Sequence, residues 1–425
     1  MIDNKKVLLV LGGFAQVCDI VQNAKEKGVY VIATDYLADS PAKKIADESY
    51  MISITDVDGI VRLCKERNVD GVMNYCIDPG QKPYQQICER LGLPCYGTKV
   101  QFETMTNKDR FKRACLENGL DVIPGLELDE TFTEEQLSQL EFPVIVKPAD
   151  GRASKGVTVC NSKLEIAKAI RYALTFSERK KIVIEKYITG QEVVIKYFAI
   201  DGRIFLTSMA DLFTCYTETG ERAYIGAQTF PSRYYKFFLE TTDAKVRRMI
   251  KNLGIQNGAM SFDGFVDNGK FRFFDPSFRM GGAQDWRIVA AITGINISDL
   301  LTEFALKGKI DDTKNMDALD KGFARKTSAI LYFLVRQGKI GRIKGVEQTL
   351  DINSVIGYHS SHVEGDTVSK KGTSDHVALR FLIVCDNTEQ LKDTISKIQS
   401  SIAILDEDGK NMLLPNFDIS LLCVN

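Results

Sequence analysis

Up to about residue 104, short apolar runs alternate with stretches of helical spacing. Residues 7–11 form a continuous apolar run that ends in Gly12-Gly13, and a helical stretch follows to Lys27, where Gly28 closes it. Residues 29–34 form a second apolar run, ending at Asp35. Residues 69–75 form a third, after a helical stretch at 60–67. Continuously apolar strands separated by helices predict a parallel sheet covered on both faces. The carboxyl ends of such strands are where ligands sit, and Gly12, Gly13, Asp35, Asn74 and Asp78 all fall there.

The pattern then changes. Thr106-Asn-Lys-Asp109 predicts a capping box that opens a helix reaching Asn118 and stopping at Gly119. A short strand is predicted at 142–147. Leu164, Ala167, Ile170 and Leu174 mark the buried stripe of a helix capped at Ser162. Residues 182–185, 192–200 and 203–210 read as strands. Val246, Met249, Ile250 and Leu253 have helical spacing, and two strands flank the turn at Asp267-Asn-Gly269. This region is α+β in character. Beyond a linker-like Asp311-Asp-Thr-Lys, strands are predicted at 327–335 and 377–385 with polar loops between them.

With 425 residues, two or three domains are expected. A net charge of -1 gives no sign of a nucleic-acid or membrane-surface partner, so any ligand must be argued from local clusters. Ten cysteines without a C-x-x-C pair, and only three histidines, argue against a Cys/His zinc site and fit a reducing, cytoplasmic setting. Neither a signal peptide nor a membrane-spanning apolar stretch is expected, and a homodimer is the base-rate assembly.

Three segments carry chemistry. The first is Pro143-Val-Ile-Val-Lys-Pro-Ala-Asp-Gly-Arg-Ala-Ser-Lys-Gly156, in which a strand delivers Lys147 to a polar glycine loop. Glycines let backbone N–H groups approach a phosphate and the lysines offset its charge, although this is not a Walker A loop. The second is Ile182-Val-Ile-Glu-Lys-Tyr-Ile-Thr-Gly-Gln-Glu192, with carboxylates at the end of one strand and the start of the next. The third runs from Ser261-Phe-Asp263 through the turn to Phe271-Arg-Phe-Phe-Asp-Pro-Ser-Phe-Arg-Met-Gly-Gly282. A two-residue Asn268-Gly269 turn would set Asp263 opposite Phe274 and turn Asp275 away. A three-residue turn would make Asp275 the same-face diagonal neighbour of Asp263. The second arrangement is favoured, because two carboxylates on one face suit a magnesium ion shared with phosphates.

In this order and spacing, the segments resemble the ATP-grasp superfamily, which includes biotin carboxylase, carbamoyl phosphate synthetase, purine-pathway ligases and L-amino acid ligases. The resemblance extends from about Val7 to Gly282 and more loosely beyond. It implies a Rossmann-like parallel sheet (a pre-ATP-grasp domain) over 1–104, an ATP-grasp domain over 105–310 with a mobile lid at about 122–185, and a C-terminal α+β subdomain over 311–425. It implies that Lys108 and Lys147 bind nucleotide phosphate, with Ser154, Lys155 and Gly156 on the lid loop. Glu185, Tyr187 and Ile188 become the adenine hinge, and Glu192 the ribose ligand. Asp263, Asp275 and Ser277 take the metal positions, and Arg279 and Lys155 the catalytic ones. ATP and Mg²⁺ are the implied cofactors, with Mn²⁺ the alternative metal.

The usual metal set in that family is Glu, Glu, Asn, whereas this chain has Asp263, Asp275 and Ser277, shorter or weaker donors. The activity implied is a carboxylate–amine (or carboxylate–thiol) ligation through an acyl phosphate, on an amino acid or similar small carboxylate. Gly12, Gly13, Asp35, Asp78, Trp286 and Arg287 are candidates for the substrate pocket. A nucleotide-binding pseudoenzyme is the first alternative. A Rossmann dinucleotide enzyme is the second, and it lacks its G-x-G-x-x-G fingerprint here.

Overall fold

The chain is described here from a computed structural model, covering residues 5–129, 131–138, 140–149, 156–177, 180–217, 220, 222–311, 315–369 and 374–422. Strand Val7–Leu11 is buried at every position and pairs in parallel with Tyr30–Thr34 on one side and Gly71–Met73 on the other. A fourth strand, Glu48–Tyr50, extends the sheet beyond Tyr30–Thr34. Its short polar sequence hides it from periodicity. Tyr30 and Tyr50 hydroxyls both donate to Glu48, which fastens this edge. Gly12 takes φ +85°, and a Cβ there would lie 1.9 Å from Ile77 Cδ1, so the first loop requires glycine.

The second layer is a nine-stranded sheet. Its strands follow the order Val355–Ser360, Val377–Cys385, Thr327–Leu334, Arg222–Phe230, Arg203–Tyr216, Gln191–Ile200, Gly258–Asp267, Lys270–Ser277 and Asp121–Val122. All neighbours are antiparallel except the last pair. One sheet therefore joins strands from both sides of residue 311. The sequence pattern ends the strand from Arg203 at Ala210, yet it continues to Tyr216. Asp211 looks like a terminator, but it is buried, accepts from Ser232 Oγ and is paired with Arg233 at 2.7 Å.

Strands Gly125–Asp129, Lys181–Lys186, Val144–Pro148 and Thr158–Cys160 form a separate antiparallel sheet. Helix Lys163–Leu174 covers it, and Val146, Ile166, Ile170 and Ile184 lie in a core of its own.

Helix Lys108–Glu117 enters the cleft between these sheets. Its cap is Asn107 rather than Thr106, because Asn107 Oδ1 accepts from the Asp109 and Arg110 amides while Thr106 Oγ1 donates to Phe102 O. Asn107→Ala should cost about 1 kcal/mol of local stability. This should appear as about fivefold faster hydrogen exchange at the Asp109 and Arg110 amides. Among the described residues no single helix is long and apolar enough to cross a membrane, and the nine described cysteines are free thiols.

Candidate functional site

The third segment forms the hairpin Gly258–Asp267/Lys270–Ser277. The turn is the two-residue one: Asn268 and Gly269 have φ 49° and 70°, and Asp267 pairs with Lys270. This corrects the three-residue turn favoured from sequence. Asp263 nevertheless lies directly opposite Asp275, because the register shifts between Asp263 and Gly264, leaving Phe274 as the extra residue of a bulge. Phe274 stacks on Phe265 with ring centroids 5.2 Å apart. Turn rules see the loop but not a bulge several residues away.

The two carboxylates strain each other. Burial pushes the Asp263 carboxyl up to about 7, aided by the negative charges of Asp275 and Glu192 and opposed by Lys196 and Arg279. Burial also raises Asp275, against Lys108 and Lys147. Glu192 is raised by burial and held by Arg222 at 3.1 Å. Among the described residues no three His, Cys, Asp or Glu side chains converge to hold a metal. Two facing carboxylates are the donor chemistry of a hard cation, which takes oxygen ligands. Ser277 is buried opposite Ser261, with its Oγ 3.4 Å from that of Ser261.

Lys108 opens its helix with Nζ 3.4 Å from Asp275 Oδ1. Lys147 lies on Val144–Pro148 and, with Lys112, grips the buried carboxylate of Glu185. Burial opposes ionisation of Glu185, yet the two ammonium groups hold its pKa below the usual carboxylate range. The side chain of Glu185, expected at the hinge, thus anchors two lysines. Tyr187 N–H is also committed, to Pro143 O at 2.9 Å. Lys112 was missed from sequence, although its position four residues after Lys108 places both on one helix face. Gly156 has φ +74°, and Ser154 and Lys155 lie outside the described residues.

Arg279 reaches across to the first sheet's loop and forms a two-pronged pair with Asp78, at 2.6 and 2.7 Å. Met280 N–H donates to Tyr75 O, and Phe278 N–H to Gln81 Oε1. The loop 278–282 is thus pinned to the carboxyl end of the parallel sheet. Asp35, a candidate ligand from sequence, is occupied instead by the Gly13 and Leu37 amides. A cleft beside Arg279 is lined by Lys196, Met260, Met280, Asp285 and Trp286. Lys196 is paired with Asp285, which also accepts from Ser208 Oγ. A Cβ on Gly281 would lie 2.3 Å from Lys196 Nζ, so this pair packs against the bare glycine.

Behind the double glycine, Tyr332, Arg380 and His359 align across three strands. Burial, with the charges of Arg380 and Arg287, lowers His359 from 6.5 to about 4. The unfolded chain takes up this proton below about 6.5 and the native one does not, so stability should fall as pH drops from 6.5 toward 4. The loss is at most about 3 kcal/mol. Denaturant midpoints across this range should show the slope, and His359→Gln should flatten it.

The family described as "PylC-like, N-terminal domain" matches residues 8–82, and "D-ala D-ala ligase C-terminus" matches residues 125–206. The small subunit of 2-oxoglutarate carboxylase from Hydrogenobacter thermophilus is 27% identical over 203 residues, 43% of this chain and 42% of that one. Phosphoribosylamine–glycine ligase from Methanocorpusculum labreanum is 25% identical over 201 residues, 47% and 46% of the two chains. These matches span less than half the length of either relative. The fold extends further. Phosphoribosylglycinamide synthetase from Anaerococcus prevotii superposes with TM-score 0.76 at 19% identity, covering 95% of this chain and 100% of that one. L-amino acid ligase from Bacillus licheniformis does so with TM-score 0.75 at 20% identity, covering 95% and 99%.

Proposed function

We propose that this chain, a member of the ATP-grasp superfamily, is an ATP-dependent ligase that activates a small carboxylate as an acyl phosphate and joins it to an amine. The observation that carries this reading is the facing pair Asp263–Asp275, with Lys108 at 3.4 Å and the charge of Lys147 also acting on Asp275. The residue division 1–104, 105–310 and 311–425 belongs to the same reading, with the separately cored sheet around 122–185 as the lid.

A carboxylate resists an amine because its charge repels the nucleophile and oxide leaves poorly. Transfer of the γ-phosphoryl group to one carboxylate oxygen releases ADP and makes that oxygen part of a good leaving group. The amine then adds to the carbonyl carbon, phosphate departs, and the nitrogen loses a proton. Mg²⁺, held by Asp263 and Asp275, would offset phosphate charge. Lys108 and Lys147 orient the phosphates, and Lys147 is itself steadied by Glu185. Arg279, fixed by Asp78, faces the acyl phosphate and the oxyanion formed on amine attack. Ile188 is the hinge residue left to donate a backbone N–H to adenine, Tyr187 being committed, and Glu192 meets the ribose. The relatives bear on amino-acid and small-carboxylate substrates through their names alone, phosphoribosylamine–glycine ligase and L-amino acid ligase.

The test is oxygen transfer. A carboxylate substrate labelled with ¹⁸O should pass one label to the released phosphate. Product formation with unlabelled phosphate would sink the acyl-phosphate route.

A further inference from the structure

Helix Gln81–Leu91 ends at Gly92, which takes the left-handed φ of 64°, and the chain then doubles back along the helix. Leu93 N–H donates to Cys88 O at 3.0 Å, and Tyr96 N–H donates to the Tyr84 hydroxyl at 3.4 Å. Tyr84 and Cys88 are one turn apart on the same helix face, and both are fully buried. The returning segment therefore passes Cys88 and then Tyr84, and Cys95 lies between these two contacts. Cys95 is half-buried, and its Sγ donates to Gly97 O at 3.1 Å. The Cys88 and Cys95 thiols hydrogen-bond to each other, and both also meet the Tyr84 hydroxyl. The bond from Cys88 holds the Cys95 thiol below its usual range, against burial. Burial raises the other described cysteines, Cys88 in addition through Cys95 itself. Among the described residues Cys95 is thus the thiol most ready to ionise, it reaches the surface, and it has a second thiol beside it. A thiol of lowered pKa, exposed and next to a resolving cysteine, is the arrangement that peroxides oxidise.

The same segment holds the loop that carries Arg279. The Tyr96 hydroxyl donates to Phe278 O at 2.9 Å, and the two rings pack with centroids 5.0 Å apart. A Cβ on Gly97 would lie 2.4 Å from Phe278 Cε1, and one on Gly258 would lie 2.5 Å from Tyr96 Cδ2. The contact has no slack, so a shift of residues 95–97 is passed to Phe278 and to Arg279 beside it.

We propose that Cys88 and Cys95 are the site of a reversible disulfide, formed by hydrogen peroxide and undone by a small thiol, whose closure displaces the loop carrying Arg279. The Cys95 thiolate attacks one peroxide oxygen; the O–O bond breaks, and with a proton from solvent one water leaves and a sulfenic acid remains. The Cys88 sulfur then attacks the Cys95 sulfur, the S–O bond breaks, and the hydroxyl leaves as a second water with the Cys88 proton. The two thiols lose two electrons and two protons in all, and the peroxide is reduced to two waters. In a reducing compartment such a bond is transient, as a sensor requires.

The test needs no turnover and stands apart from the ligase reading. The native full-length chain is treated with hydrogen peroxide and then with dithiothreitol, and followed by intact mass, by peptide mapping and by the fluorescence of Trp286. This is the single tryptophan of the chain, and it lines the cleft beside Arg279. Peroxide should remove two hydrogens from the mass and link Cys88 to Cys95, the emission of Trp286 should shift in step, and dithiothreitol should reverse both. Cys88→Ser should instead leave Cys95 as a sulfenic acid that dimedone traps, and Cys95→Ser should give neither the bond nor the shift. A map without the Cys88–Cys95 link, no dimedone adduct at Cys95 in Cys88→Ser, or a link that forms with no change at Trp286 would each overturn the proposal.

Discussion

Asp275→Asn is expected to lower ADP formation at least about 100-fold while leaving the fold intact, because on the proposed reading it removes one charged oxygen donor from the cation that would offset phosphate charge. Asp263 and Asp275 face each other across the hairpin, and the raised pKa of Asp263 reflects burial first and the charge of Asp275 second. Replacing one of them with a neutral isostere relieves like-charge repulsion in the unliganded protein. The variant should therefore be no less stable than the parent, and its denaturant midpoint should be equal or higher. Steady-state ADP assays and denaturation curves on the same preparation decide the point. A variant that loses activity only because it unfolds would place Asp275 in the scaffold instead.

The second large effect is on stability. Lys196 and Asp285 are 8% and 4% exposed and form an ion pair, with Ser208 Oγ donating to the other Asp285 oxygen at 2.9 Å. Asp285→Ala leaves an ammonium buried against Gly281 without its counter-ion, and should cost about 3–5 kcal/mol. Lys196→Met alone leaves the carboxylate stranded and should be similarly damaging. The pair Lys196→Met with Asp285→Leu removes both charges and should cost much less than the sum of the two single changes. Additive losses in urea unfolding would show that the two residues act independently.

How far the sequence could be read depended on the range of the forces involved. The first sheet was legible because its buried strands are continuous apolar runs; Glu48–Tyr50, a polar edge held by tyrosine hydroxyls, was not. The facing of Asp263 and Asp275 was anticipated, but for a different reason, since a bulge at Phe274 rather than the turn length sets it. Lys108, Lys147 and Arg279 lie where their segments suggested, whereas their partners come from distant chain. Asp78 is 201 residues from Arg279, and Glu185 is 73 residues from Lys112. No local pattern announces such pairs. Strand Arg222–Phe230 escaped notice because its pairing with Arg203–Tyr216 breaks register twice, so the alternation of faces is interrupted. Arg380 gave no sign in sequence: an arginine inside an apolar strand reads as an exposed edge residue until the sheet places it in the core.

The central claim is that this cleft uses ATP to join a carboxylate to an amine, and ADP release tests it most directly. The chain, with ATP and Mg²⁺, is assayed against a panel of amino acids and other small carboxylates, each with and without amines, beside Asp275→Asn as the control. The account predicts ADP release that requires a particular carboxylate–amine pair and is lost in the control. ADP release that is indifferent to both substrates, or that persists undiminished in Asp275→Asn, would contradict it.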